Sequence, residues 1–194
     1  MDTGINPPKS VLKKIVRKGL EQKAQVLFVF AGSTEWAIDN ELQIKALTEI
    51  LNIRLRQIVR EDEGGTYNIW AYGDLRRYPD EEYMMYIGFG SAPEKAEKLS
   101  LIVLKEMERF KKNGPSEVEM GKVREILNRE HETNIKKNSF WLHSLKTNYL
   151  HELPPERILT IPFHVDMLDS ETIRKAALVY LELSNYSHFI LLPE

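Results

Sequence analysis

A long amphipathic stretch that ends at a Gly-Gly pair constrains the fold of this chain more than any other feature. From about Asp39 to Arg60, apolar side chains recur at helical spacing. Gly64-Gly65 interrupts the pattern, and two stretches of strand-like alternation follow, at about Tyr67–Asp74 and Glu82–Gly90. The sequence therefore predicts a long helix that is followed directly by a β-hairpin, whose turn is Arg77–Asp80.

Further elements are predicted on both sides of this unit. Strands are expected at Val11–Arg17 and Ala24–Ala31 before it, and His188–Leu192 is expected to be a closing strand. Within the long helix, Arg54 and Arg56 are expected to reach solvent. The order of elements predicts an α+β fold, with one mainly antiparallel sheet and helices packed on one face.

The second half of the chain is predicted to be mostly helical. Ser91 with Glu94, and Ser116 with Glu119, fit capping boxes at the starts of two helices. The second helix is expected to run past thirty residues with a kink near Asn138-Ser139. A last helix is expected to start at Asp169 or Ser170 and to end near Leu183. No linker or repeat divides the sequence, so we expect one domain over residues 1–194.

Composition narrows the possible functions. The chain has 194 residues and a net charge of -2, which argues against a nucleic-acid partner. Cysteine is absent, so disulfides, thiolate metal sites and a cysteine nucleophile are excluded. No apolar run approaches the roughly 18 residues of a membrane span. The opening Met1–Pro8 resembles the middle of a longer polypeptide, so we expect a fragment whose signal sequence, if any, lies upstream.

Signatures of a complete catalytic site are missing from the sequence. None of the five histidines forms a His-Glu-x-x-His motif or its inverse. Glu130-His131-Glu132 is expected to lie on a solvated helix face. Gly88-Phe-Gly90 lacks the remaining parts of a phosphate-binding loop. A Ser-His-Asp triad stays open by composition, although no Gly-x-Ser-x-Gly supports one.

Arg60 and Tyr67 are the candidate functional residues. They flank the Gly-Gly bend, where a helix end and a strand start bring two side chains to one surface. A guanidinium and a phenol are both donors, and together they suit a peptide carbonyl or a developing oxyanion. The structural alternative is that Arg60 complements the helix dipole or pairs with Glu61 or Asp62, while Tyr67 simply opens a strand.

The whole chain, from Asp2 to Glu194, resembles the C-terminal domain of the insulinase/pitrilysin-type zinc peptidases, which carry an inverse zinc motif, and bacterial members in particular. Six blocks in family order carry this resemblance: Gly4–Lys9, Lys18–Lys23, Glu49–Leu55, Arg60–Tyr67, Lys137–Trp141 and Leu192–Glu194.

The resemblance implies a fold, a division of labour and a location. Family members are built from repeated α+β domains arranged as a clamshell around a chamber. The N-terminal half holds zinc on His-x-x-Glu-His, and the C-terminal half contributes an Arg and a Tyr that match Arg60 and Tyr67. The chain itself is then expected to bind no metal or other cofactor, and to be inactive alone. Its expected partners are the N-terminal catalytic half and a peptide substrate, in a bacterial envelope or periplasm.

Three alternatives remain open at this point. The chain would be a purely structural half of a peptidase-like assembly, or an unrelated α+β protein-binding module. A free-standing hydrolase is the third, and the missing nucleophile and metal signatures disfavour it. Strand addition of a peptide to an edge of the sheet is also expected, although the sequence does not say which edge is free.

Overall fold

The computed structural model describes residues 8–61 and 66–194, and gives only the backbone path at residues 59–61 and 66–67. The predicted Gly64-Gly65 bend and most of the Gly4–Lys9 block lie outside the described residues. The strands are β1 (Leu12–Arg17), β2 (Ala24–Ser33), β3 (Thr66–Arg76), β4 (Glu82–Ser91) and β5 (Ser187–Leu192). The helices are α1 (Ile38–Glu61), α2 (Ala96–Asn113), α3 (Glu117–Asn134), α4 (Asn138–Leu150), α5 (Arg157–Asp166) and α6 (Ser170–Tyr180).

The strands form one sheet in the order β1-β5-β2-β4-β3. The β1–β5 pair is parallel, and the three other pairs are antiparallel. This confirms the predicted α+β class with a mainly antiparallel sheet.

Two compact units make up the described chain. One contains the residues up to Pro115 together with Glu171–Glu194, and the other is Ser116–Ser170. The first unit holds the sheet with α1, α2 and nearly all of α6. The second holds α3, α4 and α5. The expectation of a single domain over 1–194 stays a prediction.

One face of the sheet forms the core of the first unit. Strand side chains alternate, so that every second residue of β2 and β4 points to this face and is buried. α1 packs on β3, α2 packs on β2, and Tyr180 of α6 meets the ring of Tyr83 at 5.1 Å. The largest fully buried side chains here are Phe28, Phe30, Phe89, Phe110, Ile44, Leu47, Ile50, Leu51, Leu55, Met85, Ile87 and Met107. On the other face, Tyr72 and Trp70 are exposed.

The start of α2 differs from the prediction. Ser91 ends β4, and its hydroxyl donates to the Ala92 carbonyl at 3.0 Å instead of capping a helix. A 3₁₀ turn at Pro93–Lys95 comes first, and α2 has no side-chain cap. The predicted Ser91–Glu94 capping box is therefore wrong, because β4 extends to the residue that was assigned as the cap.

The second unit confirms one prediction and corrects another. The Ser116–Glu119 capping box is present in both directions, at 2.8 and 3.3 Å. The predicted long helix, however, is two helices, α3 and α4. Lys137 has extended backbone angles, and the Trp141 indole donates to the Ile135 carbonyl at 2.8 Å, so the chain turns between them.

Helix α5 was not predicted at all. It contains Pro162 in its interior, where proline removes a backbone donor and normally breaks a helix. Packing explains its presence, because α5 contacts α3 and buries Ile158 and Val165. The residues just after it are tied to α3 by Arg124, whose guanidinium donates to the Leu168 carbonyl.

Candidate functional site

Arg60 and Tyr67 lie where two elements of the first unit meet the undescribed bend. Arg60 is in the last turn of α1, and Tyr67 is the second residue of β3. Their side chains lie outside what the structure describes, so the predicted convergence of the two side chains stays a prediction. The surrounding residues show how the two backbone positions are held.

A register shift in the sheet falls at Tyr67. Thr66 pairs with Ser91, and Asn68 pairs with Gly90, so two steps along β3 match one step along β4. Tyr67 is therefore the extra residue of a β-bulge. Bulges re-aim a side chain away from the regular alternation, and they are common beside active sites.

Asn52 fixes the middle of α1 to the outer edge of β3. Its side-chain amide donates to the Ala71 carbonyl at 3.1 Å and accepts from the Ala71 N–H at 2.8 Å. β3 is an outermost strand, so these two groups would otherwise face outward. The amide bonds to both backbone groups as a neighbouring strand would, and it closes this edge at Ala71.

Arg54 fixes the same helix to α2. Its guanidinium donates to a Glu106 carboxylate oxygen at 3.1 Å and to the Gly114 carbonyl at 2.9 Å, and it lies 4.6 Å from the centre of the Phe110 ring. The side chains of Arg54 and Glu106 are only 15% and 6% exposed. The expectation that Arg54 reaches solvent is therefore wrong. Position 54 follows Leu47 and Ile50 on the apolar stripe, so the helix directs it inward.

Gly73 lets α1 and β3 approach closely. A Cβ at this position would lie 2.7 Å from Cγ1 of Ile44 and 3.2 Å from Cγ2 of Thr48. Both neighbours belong to α1. Together with Asn52 and Arg54, this contact sets where α1 ends relative to the start of β3, and hence where the backbone of Arg60 lies relative to Tyr67.

The described residues do not fit a zinc site. Across residues 8–61 and 66–194, no three His, Asp or Glu side chains are grouped so as to hold a metal ion. α1, which follows β2, contains no histidine. His131 is 7% exposed and packs edge-on against Phe140 at 6.0 Å, so the expected solvated face at this position is wrong.

Ser100 and His188 form a buried serine–histidine contact. The Ser100 hydroxyl donates to the Ala96 carbonyl at 2.7 Å, so it accepts from His188 Nε2, which lies 3.1 Å away. This direction places a proton on Nε2 of His188. Burial, reinforced by the Lys13 charge, lowers the pKa of His188 to about 4. A histidine that donates to the serine cannot take its proton, so the pair is structural.

Comparisons with known proteins decide the family. The family model described as "Peptidase M16 inactive domain" matches residues 4–127. The chain belongs to the peptidase M16 inactive-domain family. The family resemblance seen in the sequence is thereby confirmed, and an unrelated binding module is excluded.

Individual M16 relatives agree with this assignment. The chain is 25% identical over 150 residues to an Arabidopsis thaliana protein called zinc protease PQQL-like, which covers 73% of this chain and 16% of the relative. The periplasmic protease PqqL of Escherichia coli superimposes with a TM-score of 0.82 at 17% identity, over 96% of this chain and 21% of PqqL. A Pseudomonas fluorescens peptidase M16 inactive domain gives 0.78 at 17%, over 98% of this chain and 46% of that one.

The chain therefore spans about a fifth or less of the length of PqqL and of the Arabidopsis relative. The structural likenesses show the shared fold. No described helix combines the length and the apolar composition that a bilayer span requires.

Proposed function

We propose that this chain is the non-catalytic domain of a zinc metallopeptidase and that Arg60 and Tyr67 contact the peptide substrate. Family membership supports the non-catalytic role, and the absence of histidine from α1 agrees with it. The zinc chemistry would come from the N-terminal half of the parent polypeptide, since the described residues of this chain do not fit a zinc site. The isolated chain is expected to have no peptidase activity.

The observation that carries the residue assignment is the bulge at Tyr67. An extra residue in an edge strand costs sheet pairing, and its value here would be to aim the tyrosine out of the regular alternation. Arg60 lies at the end of a helix that Asn52 and Arg54 hold at two fixed points. A rigid support of this kind suits residues that must meet a reacting group in one geometry.

The proposed role is to bind and polarise the scissile carbonyl. The Tyr67 hydroxyl and the Arg60 guanidinium would donate hydrogen bonds to the carbonyl oxygen. These bonds strengthen as negative charge develops on that oxygen in the tetrahedral transition state. The guanidinium keeps its charge at all working pH values, so this contribution should not titrate near neutrality.

Tyr67→Phe in the parent polypeptide tests the role. Removing one such donor is expected to lower kcat by about 10²–10³ with a small change in KM. Tyr72→Phe is the matched control, because Tyr72 lies on the same strand and is exposed. It should retain the kcat of the unmodified protein. Equal kcat values for all three proteins would contradict the assignment.

The same assay distinguishes a scaffold half. If Arg60 and Tyr67 are both dispensable while removal of the whole domain abolishes hydrolysis, the chain only closes the chamber. A periplasmic location is part of the proposal and is supported by the likeness to PqqL, which is a periplasmic protease. Cell fractionation with an antibody to the parent polypeptide checks it.

A further inference from the structure

The edge strand β1 directs unpaired backbone groups outward. The Leu12 N–H donates to the Tyr186 carbonyl and the Lys18 N–H donates to the Leu192 carbonyl, both towards β5. In a parallel pair, alternate residues bond to the same neighbour, so the even-numbered residues face β5. The N–H and C=O groups of Lys13, Ile15 and Arg17 therefore point away from the sheet.

This edge is open within the described part of the chain. All six residues of β1 are exposed, and Ile15 is 52% exposed. No described side chain completes the outward groups of β1 as Asn52 completes those of Ala71 on the opposite edge. An open edge of this kind is a template for pairing with another strand.

A cavity of about 260 Å³ lies beside the open edge, between β1, β5 and α2. Its apolar lining comes from Ile15, Leu101, Leu104 and Ile190. Leu101 is 58% exposed although it sits on a helix of the core. Two of the polar side chains at the cavity, Ser100 and His188, already bond to each other. The cavity thus offers an apolar surface, with room for one or two apolar side chains.

The charge along this edge selects the partner. Lys13, Lys14, Arg17 and Lys18 follow one another on or next to β1, and no carboxylate of the described residues lies within ion-pair distance of them. Glu97 is the single acidic residue among those that line the cavity. Two copies of this edge would repel each other, since each carries the same cations.

We propose that the β1 edge binds an extended acidic peptide segment by strand addition, with one apolar side chain of that segment in the cavity. Backbone bonds to Lys13, Ile15 and Arg17 provide the pairing, and the basic side chains select acidic neighbours. This site does not involve Arg60 or Tyr67, so its test is independent of the proposed function.

Binding of a defined peptide to the 194-residue chain tests the proposal. The probe is a fluorescein-labelled nonapeptide of alternating glutamate and valine, followed by fluorescence anisotropy. Two analogues with N-methyl groups on alternate residues, one for each register, remove the backbone donors and keep the charge. At least one analogue should bind about tenfold or more weakly, because it lacks the backbone donors that pair with β1.

A pair of charge-reversal variants locates the site. Lys13→Glu with Arg17→Glu should weaken binding of the acidic peptide by about tenfold or more, because two attractive pairs become repulsive. Lys122→Glu with Lys136→Glu makes the same charge change at exposed positions of α3 and of the turn after it. This control should bind the peptide as the unmodified chain does. Circular dichroism and thermal unfolding confirm that both variants are folded.

Each other outcome overturns the proposal. If both N-methylated peptides bind as well as the parent peptide, the attraction is electrostatic and no strand is added. If the control variant loses as much affinity as the β1 variant, the site is elsewhere. If the chain self-associates through β1 in sedimentation experiments and the peptide does not compete, the occupant is a second copy.

Discussion

The two edge strands of the sheet, β3 and β1, differ in whether their outward backbone groups have partners. At β3, α1 lies close to the strand, Asn52 completes the outward groups of Ala71, and Gly73 allows the approach. At β1, the outward groups of Lys13, Ile15 and Arg17 meet no described side chain, and the strand is exposed along its length. The β3 edge is anchored to α1 and closed at Ala71, and the β1 edge is open and basic.

This difference indicates which edge strand suits each of the two proposed roles. The proposed contacts of Arg60 and Tyr67 require fixed backbone positions, and the closed edge supplies them through α1. Strand addition instead requires unpaired backbone groups, and the β1 edge presents them at Lys13, Ile15 and Arg17, whereas Asn52 occupies the β3 edge at Ala71. The variants below test whether these contacts contribute to stability as the structure indicates.

Breaking the buried ion pair of α1 should have the largest effect. Arg54→Met leaves Glu106 buried without its main partner, which is expected to lower the free energy of unfolding by about 3–5 kcal/mol. Urea denaturation measures this. Combining Arg54→Met with Glu106→Leu should recover much of the loss, because no charge is then left buried. If the double variant were as unstable as the sum of the two single ones, the pair would not be coupled.

Removing the amide that closes β3 should have the next largest effect. Asn52→Ala leaves the N–H and C=O of Ala71 unpaired at a mostly buried site, and we expect a loss of about 2–3 kcal/mol. Asn52→Asp keeps an acceptor for the N–H but places a carboxylate oxygen against the Ala71 carbonyl oxygen, so it should lose at least as much stability. Hydrogen exchange of the Ala71 amide should accelerate in Asn52→Ala. An unchanged exchange rate would show that the edge is closed by something else.

Crowding the contact between α1 and β3 should lower the free energy of unfolding by a smaller amount. Gly73→Ala places a methyl group 2.7 Å from Ile44 Cγ1, and the expected overpacking loss is about 1–2 kcal/mol. Gly121→Ala is the control, since a Cβ there meets nothing within 4 Å. Gly121 lies inside α3, so alanine should stabilise the chain by about 0.5–1 kcal/mol. Equal effects of the two substitutions would contradict the close approach.

The smallest expected change in stability comes from His188, which lines the cavity beside β1. The pKa of His188 is lowered to about 4 from 6.5, so the folded chain binds fewer protons than the unfolded chain between these values. Stability from this group is therefore full above pH 6.5 and falls as the pH drops, by about 1 kcal/mol between pH 6.5 and 5.5. Comparison with His188→Gln isolates this contribution. A slope shared by both proteins would show that other groups cause it.

Local patterns predicted most of the sheet and the core helices. The alternation in β2 and β4 and the apolar stripe of α2, from Ala96 to Phe110, matched buried faces in the structure. Where several levels of the sequence agree, as at the Ser116–Glu119 capping box, the helix begins as predicted.

The failures came from packing that a local pattern does not contain. The charge of Arg54 predicts a solvent-exposed side chain. In the structure it pairs with Glu106, which lies 52 residues further along the chain. α5 was missed because Pro162 argues against a helix when its burial against α3 is not known. At the candidate site, spacing identified Arg60 and Tyr67, but the bulge and the role of Asn52 depend on strand pairing, which one sequence does not reveal.

A double-mutant cycle on peptide hydrolysis by the parent polypeptide tests the central claim most directly. Arg60→Lys, Tyr67→Phe and the double variant are compared through kcat/KM. If both side chains donate to one developing oxyanion, each single variant loses activity and the two losses are not additive, because the residues share one partner. Full activity of either single variant would remove that residue from the site. Strictly additive losses would mean that the two residues act on different groups.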